Sequence, residues 1–135
     1  MRRTGVVVLL VLGLTGCNGG TVDDHALKRD AEKVASFATE GELLANDVSR
    51  GASTKPFVTV HAGELSQAAS NMSDALAERP TSRGIGRDVR KLSRVARRVS
   101  RHLEQLQLHP TDRAVAASLK DTLSKDADAA DKLSK

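Results

Sequence analysis

Residues 85–106, IGRDVRKLSRVARRVSRHLEQL, place Ile85, Val89, Leu92, Ala96, Val99, Leu103 and Leu106 at alternating steps of 4 and 3. A repeat averaging 3.5 residues lays these side chains along one face of an α-helix, whereas a half-buried strand needs a repeat of 2. The helix is about 33 Å long at 1.5 Å per residue. Its apolar stripe requires other helices to cover it.

The flanking sequence supplies them. Upstream, Leu27, Ala31, Val34, Ala38, Ala45 and Val48 follow the same grid, with Gly41 at the missing position and Phe37 and Leu44 broadening the stripe. This predicts a helix over 22–49, opened by a capping-box-like Thr21 and Asp24. Gly51, Thr54 and Pro56 then combine a stop, a cap and an early proline. Val58, Ala62, Leu65, Ala69, Met72 and Leu76 predict a second helix over 56–78, and this longer period outweighs the strand-like 57–60. Residues 79–84 read as a breaker and turn, and His109-Pro110 ends the third helix. A fourth begins with Thr111 as cap. It carries Val115 or Ala116, Leu119, Leu123, Ala127, Ala130 and Leu133, with Lys132 and Lys135 in its final turn. Four helices joined by short loops predict an all-α, up-down-up-down antiparallel four-helix bundle. A three-helix bundle with a frayed C-terminal helix is the alternative, because the last stripe is poorest in large apolar side chains.

Composition agrees. The 135 residues include two Phe and neither Trp nor Tyr, and Ala supplies much of the apolar 39%. That balance argues against sandwiches and barrels. The single Cys excludes an intramolecular disulfide and any multi-cysteine metal site. The many stripe alanines imply a thin core with little room for an interior ligand pocket.

The N-terminus reads as an address. Arg2 and Arg3 precede an apolar run over 6–14, too short to span a membrane as a mature helix, and a small-residue exit follows. Leu14-Thr15-Gly16-Cys17 resembles the lipobox of bacterial lipoproteins, in which the cysteine is lipidated and becomes the first residue of the mature chain. The resemblance implies a signal peptide over 1–16, a lipidated Cys17 with a short tether over 17–20, and a bundle domain over 21–135. It implies export and attachment to a bacterial membrane. That is the outer membrane of a Gram-negative cell, towards which Asn18 leans, or the outer face of the plasma membrane where there is only one. Read without the resemblance, the same segment is a cleaved secretory signal that leaves a free exported thiol.

The strongest chemical signal is the charge on the third helix. From Arg83 to Arg101 there are seven Arg and one Lys against a single acid, Asp88. With Leu92 and Ala96 facing the core, Arg87, Arg94 and Arg101 point outward, flanked by Arg90 and Arg97 on one side and Lys91 and Arg98 on the other. Within this set of seven, eight pairs lie three or four residues apart. Each pair disfavours the isolated helix by roughly 0.2–0.5 kcal/mol, so packing, acidic neighbours or a bound polyanion must offset a few kcal/mol. Two readings stand side by side. In one, the face is merely solvated, with compensation from residues 21–50, which carry seven acids and four bases. In the other, the seven cations form an anion-binding face. Neither Phe offers a stacking platform for single-stranded nucleic acid, so among nucleic acids only extracellular DNA held nonspecifically by charge would suit this face.

Other chemistry is weakly signalled. His102 and His109 share a face but lie about 10 Å apart along the axis, too far to ligate one ion. His61 and Glu64 could both touch a metal, but no Glu-x-x-His occurs to complete a carboxylate-bridged site. Asp23-Asp24 and Asp126-x-Asp128 read as helix-end or surface charges. No serine lies in a nucleophile elbow, and Gly84-Ile85-Gly86 lacks the rest of a phosphate loop. The sequence thus predicts a non-catalytic, envelope-associated binding or structural module without cofactor or metal. Its expected partners are the membrane and an anionic lipid, an envelope polymer or an acidic protein, with no specific nucleic acid. The alternatives are a small-ligand or metal-sensing helical module and an immunity or exclusion lipoprotein.

Overall fold

Each apolar stripe becomes a helix in the computed structural model, which describes residues 20–135. The expected signal peptide, Cys17 and the first part of the tether lie outside the described residues. The helices are α1 (Asp24–Ser49), α2 (Lys55–Glu78), α3 (Gly86–Leu108) and α4 (Arg113–Asp131). α2 lies along α3 and α1 along α4 over most of their length. The two pairs meet through α1 with α2, α3 with α4, and a diagonal contact of α1 with α3, while α2 and α4 do not touch. Chain order therefore runs around the ring, and the architecture is the up-down-up-down four-helix bundle. α4 packs along α1 rather than fraying.

The two close pairs are built on small residues. On the α2–α3 seam, Ser66 and Ser100 each donate a hydroxyl hydrogen bond to the other's backbone carbonyl at 2.9 Å. Ser73 and Ser93 do the same at 2.9 Å, one heptad along each helix. Between the serine pairs in sequence lie the fully buried Ala69 and Ala96. Buried hydroxyls are tolerated because every one is bonded. α1 reaches α3 and α4 through Gly41, where a Cβ would stand 2.5 Å from Leu103 Cδ2 and 3.2 Å from Leu123 Cδ1. The missing heptad position is thus a close approach. Among the described residues the core cluster runs from Val22 to Ala130, so the chain from Asn18 onward keeps every one of these core residues.

Several local expectations are corrected. Thr21 does not cap α1, because the chain before the helix is committed elsewhere. Val22 N–H donates to Pro80 O (2.8 Å), Ser82 N–H donates to Val22 O (2.9 Å), and the Val22 side chain is fully buried. The helix starts later, with Asp23 accepting from Ala26 N–H at 2.8 Å. In α4 the cap is Asp112, accepting from Val115 N–H at 3.0 Å, and not Thr111. α4 ends at Asp131, so Lys132 is its C-cap and Lys135 lies beyond it, 2.7 Å from Asp131. Gly51 ends α1 with φ +70, the left-handed geometry that suits glycine. On α2, Ser73 is buried where the stripe put Met72, which is only partly covered, because the serine seam is too close for a long side chain. Phe57 lies off the buried stripe, exposed in the first turn of α2, and stacks on His61.

Candidate anion-binding face

α3 positions its cations by periodicity alone. Val89, Leu92, Ala96, Val99, Leu103 and Leu106 are buried, which turns Arg87, Arg90, Lys91, Arg94, Arg97 and Arg101 to solvent. Arg98 differs, being only partly exposed. Its Nε donates to Asp126 Oδ1 at 3.0 Å, and His102 Nδ1 lies 2.8 Å from Asp126 Oδ2. Asp126 is buried and is therefore not the surface acid expected from its sequence. It joins α4 to α3, and no local signal marks it.

The charge compensation also differs from expectation. Two acids of α1 reach across to α2 and its C-cap: Asp30 pairs with Arg79 at 3.3 Å, and Glu40 with His61 at 2.8 Å. Instead α3 finds acids on its flanking helices and on itself. Arg98 has Asp126, Arg97 reaches Asp74 only at 3.9 Å, and Lys91 has Asp88 at 3.6 Å. The two exposed pairs, Arg97 with Asp74 and Lys91 with Asp88, contribute little. Among the described residues, no carboxylate lies within 4.0 Å of Arg87, Arg90, Arg94 or Arg101.

Grooves flank α3 on both sides. Between α3 and α4, Lys91, Arg94, Arg98, Lys125 and Lys132 surround a surface groove of about 530 Å³ floored by Val95, Ala129 and Leu133, with Asp128 as its one acid. Between α2 and α3, Arg79, Arg90, Arg94 and Arg97 line another of about 500 Å³. Arg94 belongs to both. Lys125 on α4 and Lys132 at its C-cap, a heptad apart, form a basic edge that shows only once α4 is placed beside α3.

The face also has a position along the bundle. Arg79 Nε donates to Gly20 O at 3.1 Å, and Val22 is pinned to the 80–82 turn, so the described chain begins at the end where α3 starts. The cations occupy α3 from that end as far as Arg101. The exposed apolar side chains Leu43, Phe57, Val60 and Leu108 lie towards the other end.

His61 is engaged by Glu40 and Phe57, and His25 and His109 are exposed. Among the described residues no three His, Cys, Asp or Glu side chains gather as a metal site, and no helix is long and apolar enough to cross a membrane. Comparison with protein-family models, curated proteins and solved structures returned no match.

Proposed function

We propose that this chain is a lipid-anchored bacterial envelope protein that works by contact, without catalysis, and turns the basic face of α3 to an anionic membrane surface. The observation that carries the reading is a row of four arginines, Arg87, Arg90, Arg94 and Arg101, with no carboxylate partner among the described residues, on the helix that starts where the chain enters the bundle. Cys17 precedes Gly20 by three residues, which span at most about 10 Å. A lipid on Cys17 would hold that end of the bundle at the headgroups. Multiple acyl chains suffice for attachment, so the role left for the basic face is to orient the domain. Each cation brought to an anionic surface contributes on the order of 1 kcal/mol, within a Debye length of about 8–10 Å.

The test is binding of the chain from Asn18 onward to phosphatidylcholine vesicles with and without phosphatidylglycerol, across a salt series. Binding should require the anionic lipid and weaken steeply with salt. Changing Arg87, Arg90, Arg94 and Arg101 together to Gln should lower affinity about fivefold per arginine that reaches the surface, with the helical melting curve retained. Arg98 is left in place because it neutralises buried Asp126. Equal binding by wild type and the quadruple variant would leave the face as merely solvated.

A further inference from the structure

We infer that the groove between α3 and α4 is a discrete site for one anionic amphiphile, a phosphorylated lipid taken by its headgroup and the first part of its acyl chain. The inference deepens the anion-facing reading of α3 and rests on it, but it uses residues of α4 which that reading does not need.

Two properties coincide in the groove. Its rim is cationic from both helices: Lys91, Arg94 and Arg98 on α3 face Lys125 and Lys132 on α4, against Asp128 alone. Among the described residues, Arg94, Lys125 and Lys132 have no carboxylate within 4.0 Å. Arg98 is held at the site by the hydrogen bond from its Nε to buried Asp126, which leaves the outer nitrogens of its guanidinium uncommitted in that bond. A guanidinium fixed in this way forms a phosphate contact at smaller entropic cost than a free one. The floor, by contrast, is apolar, made of Val95, Ala129 and Leu133. A purely ionic ligand would leave that floor wet, and a purely apolar one would leave the cations unpaired. A molecule with a phosphate at one end and methylenes at the other satisfies both, because each methylene laid on the floor is removed from water. The volume of about 530 Å³ is within the usual range for small-molecule sites.

The probe is dihexanoyl phosphatidylglycerol kept below its micelle concentration, titrated into the chain from Asn18 onward and followed by calorimetry and amide chemical shifts. One-to-one saturation is expected, with shifts concentrated at 91–98 and 125–133. Glycerol phosphate, which has the anion without the chains, should bind at least about tenfold more weakly, and so should the Lys125→Gln/Lys132→Gln variant with the full probe. That variant should keep its binding to anionic vesicles, whereas Arg87→Gln/Arg90→Gln/Arg101→Gln should lose vesicle binding and keep the short-chain lipid. Equal affinity for glycerol phosphate would overturn the amphiphile, and an unchanged Lys125/Lys132 variant would overturn the groove. Vesicle binding that is absent in the wild type, or kept by the arginine variant, would instead count against the orienting role of α3.

Discussion

Ser73 and Ser93 face each other across α2 and α3, each donating its hydroxyl to the other's backbone carbonyl at 2.9 Å, with their oxygens 3.3 Å apart. Two helices can come this close only where neither carries a large side chain. The hydroxyls bond to carbonyls already used within the helices, so the pair links the seam without disturbing either ladder. Ser73→Ala should cost about 1 kcal/mol, one buried hydrogen bond. Ser73→Leu should cost about 1–3 kcal/mol or more, because it must push the helices apart. Denaturant unfolding of the two variants checks the order. A leucine variant as stable as wild type would mean that the seam is not close-packed.

Gly41 and Gly63 look alike in sequence, yet alanine should act oppositely at the two. At either position it relieves a helix of about 1 kcal/mol of glycine penalty. At Gly41 the new Cβ meets Leu103 Cδ2 at 2.5 Å, and Leu103 is fully buried with nowhere to move. Overpacking of about 1–3 kcal/mol should outweigh the gain. At Gly63 the nearest atom is Gln107 Nε2, the tip of a half-exposed side chain free to swing outward. Gly41→Ala should therefore lower the melting temperature, and Gly63→Ala should raise it or leave it unchanged. The same sign at both sites would contradict this packing.

What was legible in the sequence was whatever local spacing determines. Val89 to Leu106 fixes the face of α3 without reference to any other helix, and the same period finds α1, α2 and α4. What depends on a distant neighbour was not legible. Met72 and Ser73 compete for one buried position, and only the closeness of α3 decides for serine. Val22 is an ordinary valine until the 80–82 turn pairs with its backbone and moves the start of α1. Asp126 reads as a surface acid because its partners lie 28 and 24 residues away. The candidate face was half visible: its arginines are a local pattern, but the α4 edge that makes a groove of it needs the bundle.

The link between Arg98 and Asp126 is lopsided, and the lopsidedness predicts a ranking. The Asp126 side chain is 5% exposed and that of Arg98 is 43% exposed. Removing the arginine strands a buried carboxylate with His102 as its remaining partner. Removing the carboxylate lets the guanidinium relax into water. Arg98→Met should therefore cost about 2–3 kcal/mol, at or below the range for breaking a fully buried pair, and Asp126→Asn about 1 kcal/mol. Urea midpoints of the two variants decide the matter. The reverse order would show that the arginine's methylenes, and not its charge, hold the site.

The proposed anchor makes the last prediction. With Val22 buried against the 80–82 turn, the chain from Cys17 to Gly20 is too short to let the bundle stand away from a membrane that holds Cys17. Attachment and orientation should then separate by mutation. In a bacterial host the full-length chain should fractionate with membranes and incorporate labelled palmitate. Cys17→Ser should remain unprocessed or be released, and should take up no label. The Arg87, Arg90, Arg94 and Arg101 variant should keep both label and membrane fraction, since multiple acyl chains are sufficient for attachment. Label that survives Cys17→Ser would refute the anchor, and release of the arginine variant would show that the basic face attaches the domain instead of orienting it.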